Sequence, residues 1–240
     1  MKTIVCENYD EMSKAAAKIV AERITSTPSC VIGFATGSTP VGQYENLVKM
    51  YNEKKISFKG VTTFNLDEYY PIKDENDQSY HYFMKENLFG KVDIDYAKVH
   101  FPSGEAADPV KECAAYEAEI EKCGGIDLQI LGIGRNGHIG FNEPAPVLEG
   151  RTHITDLTAD TIDANSRFFD SRDSVPTRAL TMGMLTILET RKIIILASGA
   201  SKHEAVAGLI SSGITTSNPS TMLKFHPDVT LICDRAAYGG

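Results

Sequence analysis

Residues 131–144 read LGIGRNGHIGFNEP, with four glycines, one histidine and one glutamate directly after the apolar run IDLQI. Gly132, Gly134 and Gly137 free the backbone to come close to a ligand. His138 adds the side chain whose ordinary pKa lies nearest neutrality. Glu143 follows five residues later and Asn136 supplies an amide two residues earlier. A histidine can be structural and a glycine turn can serve geometry alone. An imidazole, a carboxylate and an amide gathered at one glycine-rich strand exit point instead to proton transfer.

Three further segments carry polar groups in comparable places. ATGSTP (35–40) precedes a helical pattern, so Gly37, Ser38 and Thr39 either cap an ordinary turn or cradle an anion at a helix N-terminus. DEYY (67–70) follows VTTFNL and sets Asp67 and Glu68 where a strand leaves the sheet, as capping acids or as one half of an acid/base pair. Lys202 in ASGASKHEAV stands at a helix start, where a cation opposes the dipole unless an anion lies beside it. Arg167 in ANSRFF is either a second anion partner or a salt-bridge partner of Asp163 or Asp170.

These segments need a scaffold that gathers their ends. Short apolar runs at 30–37, 61–66, 98–102, 127–134, 192–199 and 229–234 alternate with helical patterns at 9–25, 40–54, 79–89, 108–122, 176–189 and 201–211. A shorter helix is expected near 219–225. Pro40 and Pro176 suit first turns, and Ser201 precedes KHEAVAGLI as a start signal. Near-continuous apolar strands alternating with helices specify an α/β fold, an open, mostly parallel sheet flanked by helices. THITDLT (152–158) is expected as a strand outside the main parallel order. In such sheets ligands bind beyond the carboxyl ends of the strands, which is where the polar groups fall.

Composition narrows the partners. The 240 residues are 42% hydrophobic, enough for a full core, and one domain over 1–240 is expected. A formal net charge of −8 argues against general attraction to nucleic acid or an anionic membrane, leaving a small-molecule substrate held by a local cluster. No signal peptide, transit peptide or membrane span is visible in the sequence. Five scattered cysteines without a CxxC pair fit reduced thiols in a cytoplasmic protein, and metal ligation is not expected.

Taken in order, ATGSTP, NLDEYY, GIGRNGHIGFNEP, ANSRFF and SGASKHEAV resemble the glucosamine-6-phosphate deaminases, within the larger group of Rossmann-like sugar-phosphate isomerase proteins. The resemblance spans essentially the whole chain. It implies conversion of glucosamine 6-phosphate and water to fructose 6-phosphate and ammonia, with no metal or redox cofactor. By that similarity, Asp67 carries the proton from C2 to C1, His138 takes the ring-hydroxyl proton during opening, and Glu143 orients the imidazole. Phosphate would rest on Gly37, Ser38 and Thr39, with Gly137 close by and Arg167 and Lys202 as charge partners.

Two positions depart from the pattern of many members. Asn136 stands where they carry an aspartate, so it can orient a neighbour but cannot accept a proton. His153 and Thr155 stand where allosteric members carry basic residues, and the chain stops at Gly240. A non-allosteric enzyme, monomeric or in a small homo-oligomer, is therefore expected. A 6-phosphogluconolactonase-type hydrolase would need the histidine but no C2 base. A non-catalytic sugar-phosphate sensor would need only the cradle, and would normally travel with a DNA-binding segment.

Overall fold

A computed structural model describes residues 1–166, 169 and 171–240, without the side chains of 160, 164 and 165. The strands of the main sheet are β1 (Lys2–Cys6), β2 (Val31–Phe34), β3 (Thr62–Asn65), β5 (Val99–His100), β6 (Leu128–Gly132), β9 (Ile193–Ala197) and β10 (Val229–Asp234). They lie in the order β1-β10-β9-β6-β2-β3-β5, and every neighbouring pair is parallel. A second sheet joins β4 (Asp67–Tyr70), β8 (Arg178–Thr181) and β7 (His153–Asp156), all antiparallel.

Strand β9 shows why its sequence folds this way. Ile193, Ile195 and Ala197 enter one core with Tyr116, Ile120, Val206 and Leu209. Ile194 and Leu196 enter the other with Met12, Ala16, Val20 and Leu47. A strand apolar at every position is thus buried on both faces, and each isoleucine contributes about 1.5–3 kcal/mol of burial. The second core is covered by α1 (Tyr9–Ser26), α2 (Val41–Asn52) and α3 (Tyr80–Asn87), the first by α4 (Pro109–Lys122), α6 (Met184–Leu188), α7 (His203–Ile210) and α8 (Arg235–Tyr238). Asn8 caps α1 by accepting from Glu11 N, and Asp108 caps α4 ahead of Pro109.

The helix expected over 176–189 is not one element. Residues 178–181 form β8, and α6 occupies only Met184–Leu188. Gly183 separates them in an extended conformation, and a Cβ there would strike the backbone of Gly150 and Arg151. The apolar spacing of ALTMGMLTIL mimics a helical stripe across a strand, a glycine break and one helical turn. Pro176 consequently precedes a strand and opens no helix. The expected helix near 219–225 is a 3₁₀ segment, and Ser201 lies in a 3₁₀ turn just ahead of α7. Residues 152–158 do contribute a strand outside the parallel sheet, β7. No helix among the described residues is long and apolar enough to cross a membrane.

Candidate active site

Four neighbouring strands, β9, β6, β2 and β3, run parallel and deliver their carboxyl ends to one edge. The segments that follow them are 198–202, 133–138, 35–39 and 66–67. Three strand spacings separate the outer two, roughly 14 Å, so the exits line one edge of the sheet, the candidate cleft mouth.

Asp67 stands two residues beyond the end of β3, as the first residue of β4. The chain leaves β3 at Asn65, spends Leu66 in crossing, and enters the small sheet at once. Leu66 N donates to Phe34 O at 2.9 Å and Leu66 O accepts from Met182 N at 2.9 Å, while Asp67 pairs with Thr181. The carboxyl therefore sits at the seam of two sheets, 5% exposed. Burial, and then the charge of Glu68, push its pKa well above the usual carboxylate range.

Glu68 does something else. Its carboxylate accepts from Tyr69 N and Tyr80 N through one oxygen and from His81 N through the other, each at 2.9 Å. It closes the N-terminus of α3 beside Ser79, whose hydroxyl accepts from Tyr82 N at 2.9 Å. Burial pushes Glu68 up to about 7 against the pull of those three donors. Of the two adjacent acids, the structure spends Glu68 on capping, while the Asp67 carboxyl makes no hydrogen bond among the described residues.

The glycine-rich exit folds back on itself. Gly134 N donates to His138 O at 2.9 Å, and Gly137 N to Gly134 O at 3.0 Å. Gly134 must lack a side chain because a Cβ would enter the His138 ring. Gly137, at φ +83, packs directly on Asn218 and its carbonyl accepts from Ser220 N at 2.8 Å. His138 Nδ1 stands 3.1 Å from Glu143 Oε1, close enough for charge pairing but without the alignment of a full hydrogen bond. Asn136 Nδ2 donates to Glu143 Oε2 at 2.7 Å, and Asn136 Oδ1 accepts from His138 N at 3.1 Å. Thr161 Oγ1, on α5 (Ala159–Asn165), donates to Glu143 Oε1 at 2.8 Å. Burial would raise the Glu143 pKa, but His138, Asn136 and Thr161 together hold it below the usual value. Glu143 is thus an ionised carboxylate beside the imidazole, the geometry that orients a base and stabilises its charged form.

Asp67 and this exit meet at Gly140. A Cβ on Gly140 would lie 3.3 Å from Asp67 Oδ2 and 2.7 Å from Thr181 Oγ1, and Thr181 Oγ1 already accepts from Phe141 N at 3.1 Å. The acid and the histidine-bearing turn, 71 residues apart by 138 − 67, share one contact surface.

At the exit of β2, between those of β6 and β3, Gly37 takes φ +92 and is exposed with Ser38, ahead of α2. Tyr9 Oη donates to Ser38 O at 3.1 Å and accepts from Gly42 N at 2.8 Å, holding this turn to α1. Lys202 immediately precedes α7, as expected. Partial burial, and then the Arg135 guanidinium, hold its ammonium below the usual value. A half-buried ammonium facing a guanidinium marks a place for an anion. Arg135 was missed in the sequence although it lies inside the glycine-rich motif, where a cation among phosphate-sized gaps was the available signal. Thr161 and Asn218 had no local signal, since both act across long sequence separations. Arg167 lies outside the described residues; Asp163, one of its two candidate partners, accepts from Arg172 Nε at 2.5 Å.

With this geometry in place, comparison with known proteins decides the lineage. A profile of the glucosamine-6-phosphate isomerases/6-phosphogluconolactonase family matches residues 7–231. The chain belongs to that family. Within the family, it is 54% identical over 237 residues to a glucosamine-6-phosphate deaminase of Halothermothrix orenii, covering 99% of this chain and 98% of the relative. It is 52% identical to the glucosamine-6-phosphate deaminase of Clostridioides difficile, covering 99% and 95%. A solved structure of a monomeric glucosamine-6-phosphate deaminase, a member of the NagB superfamily, superposes with a TM-score of 0.96 at 44% identity, covering 99% and 98%. A 6-phosphogluconolactonase from Leishmania guyanensis shares the fold at a TM-score of 0.76 with 20% identity, covering 100% and 98%.

Proposed function

We propose that this family member is a glucosamine-6-phosphate deaminase, converting glucosamine 6-phosphate and water into fructose 6-phosphate and ammonia. The observation that carries the reading is the meeting of Asp67 with the His138 turn at Gly140. Relatives bearing that name at over half identity and nearly full coverage support it.

In this mechanism His138 takes the proton of the C1 hydroxyl as C1 becomes a carbonyl and its bond to the ring oxygen breaks, Glu143 steadies the imidazolium, and the imidazolium returns the proton to the ring oxygen. Asp67 then removes the proton on C2, whose bonding electrons form the C1–C2 double bond as the C1 carbonyl electrons move to O1, which takes a proton; the nitrogen lone pair next forms the C2–N double bond while the C1–C2 electrons take the proton back from Asp67 at C1. The nitrogen left on C2 as an imine is attacked by water, which becomes the ketone oxygen as ammonia departs. Asn136 orients Glu143 without exchanging protons. Gly37, Ser38, Thr39 and Gly137 shape the phosphate end, with Lys202, Arg135 and Arg167 as its charge partners. The lactonase reading lacks a task for a buried, uncommitted Asp67. The chain is proposed to act in the cytoplasm as a monomer or small oligomer without allosteric activation, in keeping with the monomeric relative and the absence of cations at His153 and Thr155.

A coupled assay for fructose 6-phosphate and ammonia from glucosamine 6-phosphate tests the activity, run beside lactone hydrolysis. Lactone turnover without ammonia release would overturn the assignment. A sigmoidal rate curve made hyperbolic by N-acetylglucosamine 6-phosphate would overturn the non-allosteric reading.

A further inference from the structure

Away from the cleft mouth, three side chains of different ligand type converge between the edge strand β5 and the last turn of α4. His100 ends β5, and Glu119 and Cys123 stand one helical turn apart on α4 and at its C-cap. One ligand atom from each lies within 4.8 Å of the other two, and all three residues are half-buried. It is the one such mixed group among the described residues. We propose that His100, Glu119 and Cys123 bind a divalent transition-metal ion of borderline softness, of the Zn²⁺ type, with water completing the shell.

Donor chemistry supports this. An imidazole, a carboxylate and a thiolate are the nitrogen, oxygen and sulfur ligands that Zn²⁺ and Co²⁺ take in tetrahedral sites. A thiolate and a carboxylate cancel the charge of the ion. Donors around a tetrahedral ion stand roughly 3.3–3.8 Å apart for bonds of about 2.0–2.3 Å, so closing from the present spread asks for about 1 Å of side-chain adjustment. The frame is already fixed. The His100 ring stacks on Phe64 at 4.6 Å and 13°, which sets its plane. Tyr116, on the same face of α4, donates from Oη to Asn65 O at 2.6 Å and to His100 O at 3.4 Å, pinning helix to strand. Cys123 must surrender its thiol proton to solvent as the sulfur–metal bond forms.

Lys122 is the competitor. Its ammonium donates to both Glu119 oxygens, at 2.9 and 3.1 Å, and would have to yield one of them. The pair is exposed on the lysine side and so holds the carboxylate weakly. Occupancy would cross-link a two-residue edge strand to the helix that covers it.

The test is titration of the reduced, chelator-treated protein with Co²⁺, read by visible absorption. One equivalent should bind with tetrahedral d–d intensity and a thiolate-to-cobalt charge-transfer band. C123S should abolish that band and weaken binding by at least the ~10–100-fold that even an outer-shell partner is worth, and E119Q should weaken it similarly. C113S should keep the band, and K122A should bind at least as tightly as the parent. Zn²⁺ should raise Tm in the parent but not in C123S, while sugar-phosphate turnover by C123S stays unchanged. A charge-transfer band that survives C123S, or no stoichiometric binding at all, would overturn the proposal.

Discussion

Replacing Asp67 by asparagine separates chemistry from folding, because the two respond with opposite signs. The substitution keeps the shape and one acceptor of a side chain 5% exposed, yet removes its capacity to ionise. If Asp67 is the base between C2 and C1, turnover falls by ~10²-fold or more, about 2.7 kcal/mol in the barrier. Stability should move the other way. Burial and the neighbouring Glu68 raise its pKa above the ordinary 3.8, so the unfolded chain ionises more readily than the folded one. A carboxyl shifted upward contributes stability that is complete below its unfolded pKa and is lost as pH rises through the folded one. The amide cannot ionise and escapes that loss. D67N should therefore melt at or above the parent at neutral pH, with its advantage growing as pH rises from about 4. kcat and KM from the ammonia-coupled assay, with Tm read across the same pH range, decide the matter. A turnover loss below about tenfold, or a Tm that drops in step with activity, would refute the assignment and make Asp67 a structural acid.

Glu68→Gln should leave turnover nearly intact. The parent should lose roughly 3 kcal/mol relative to this variant as pH rises from the ordinary value of 4.5 through about 7, seen in denaturant unfolding at several pH values. Lys202→Ala should raise KM for the phosphorylated substrate by about 10–150-fold with a smaller effect on kcat, from the ~1.5–3 kcal/mol of a charged hydrogen bond; an unchanged KM would place the phosphate elsewhere. Gly137→Ala forces a left-handed conformation costing ~1–2 kcal/mol and drives a Cβ into Asn218, so Tm and kcat should fall together. Adding Asn218→Ala should restore part of both, and no restoration would mean that the clash is not the cause. Glu143→Gln should cut kcat by roughly 10²-fold and also lower Tm at neutral pH, since Asn136, Thr161 and His138 all address an ionised carboxylate that the amide cannot replace; an unchanged Tm would mean that these contacts do not hold the carboxylate.

The parallel sheet was legible because strands such as 193–197 are apolar at each position, a pattern only double-sided burial rewards. The placement of the candidate residues was legible for the same reason, since polar groups directly after such strands gather at one edge. What escaped obeys nonlocal rules. Strand β1 pairs with β10 along one edge and is mostly exposed, and its apolar run of Ile4, Val5 and Cys6 is too short to distinguish a strand. Strand β8 hides in a pattern of helical spacing, and Gly183 reveals the break only through its contact with residues 150 and 151. Asp67 and Glu68 are indistinguishable in sequence; the N-terminus of α3, a dozen residues later, recruits one and spares the other. The His100, Glu119 and Cys123 cluster has no motif spacing because β5 and α4 bring it together only in space.

The order β9-β6-β2-β3 has a bearing on how the molecule answers to its ligand. Its cleft draws one short segment from each of four strand ends, spread from residue 35 to residue 202, so no fragment of the chain retains a working share of it. A sugar phosphate spanning those tips holds shut the very strands whose separation is global unfolding. Occupancy should then slow amide exchange deep in β6 and β9 as well as in the loops it touches, turning substrate into a fastening for the entire sheet.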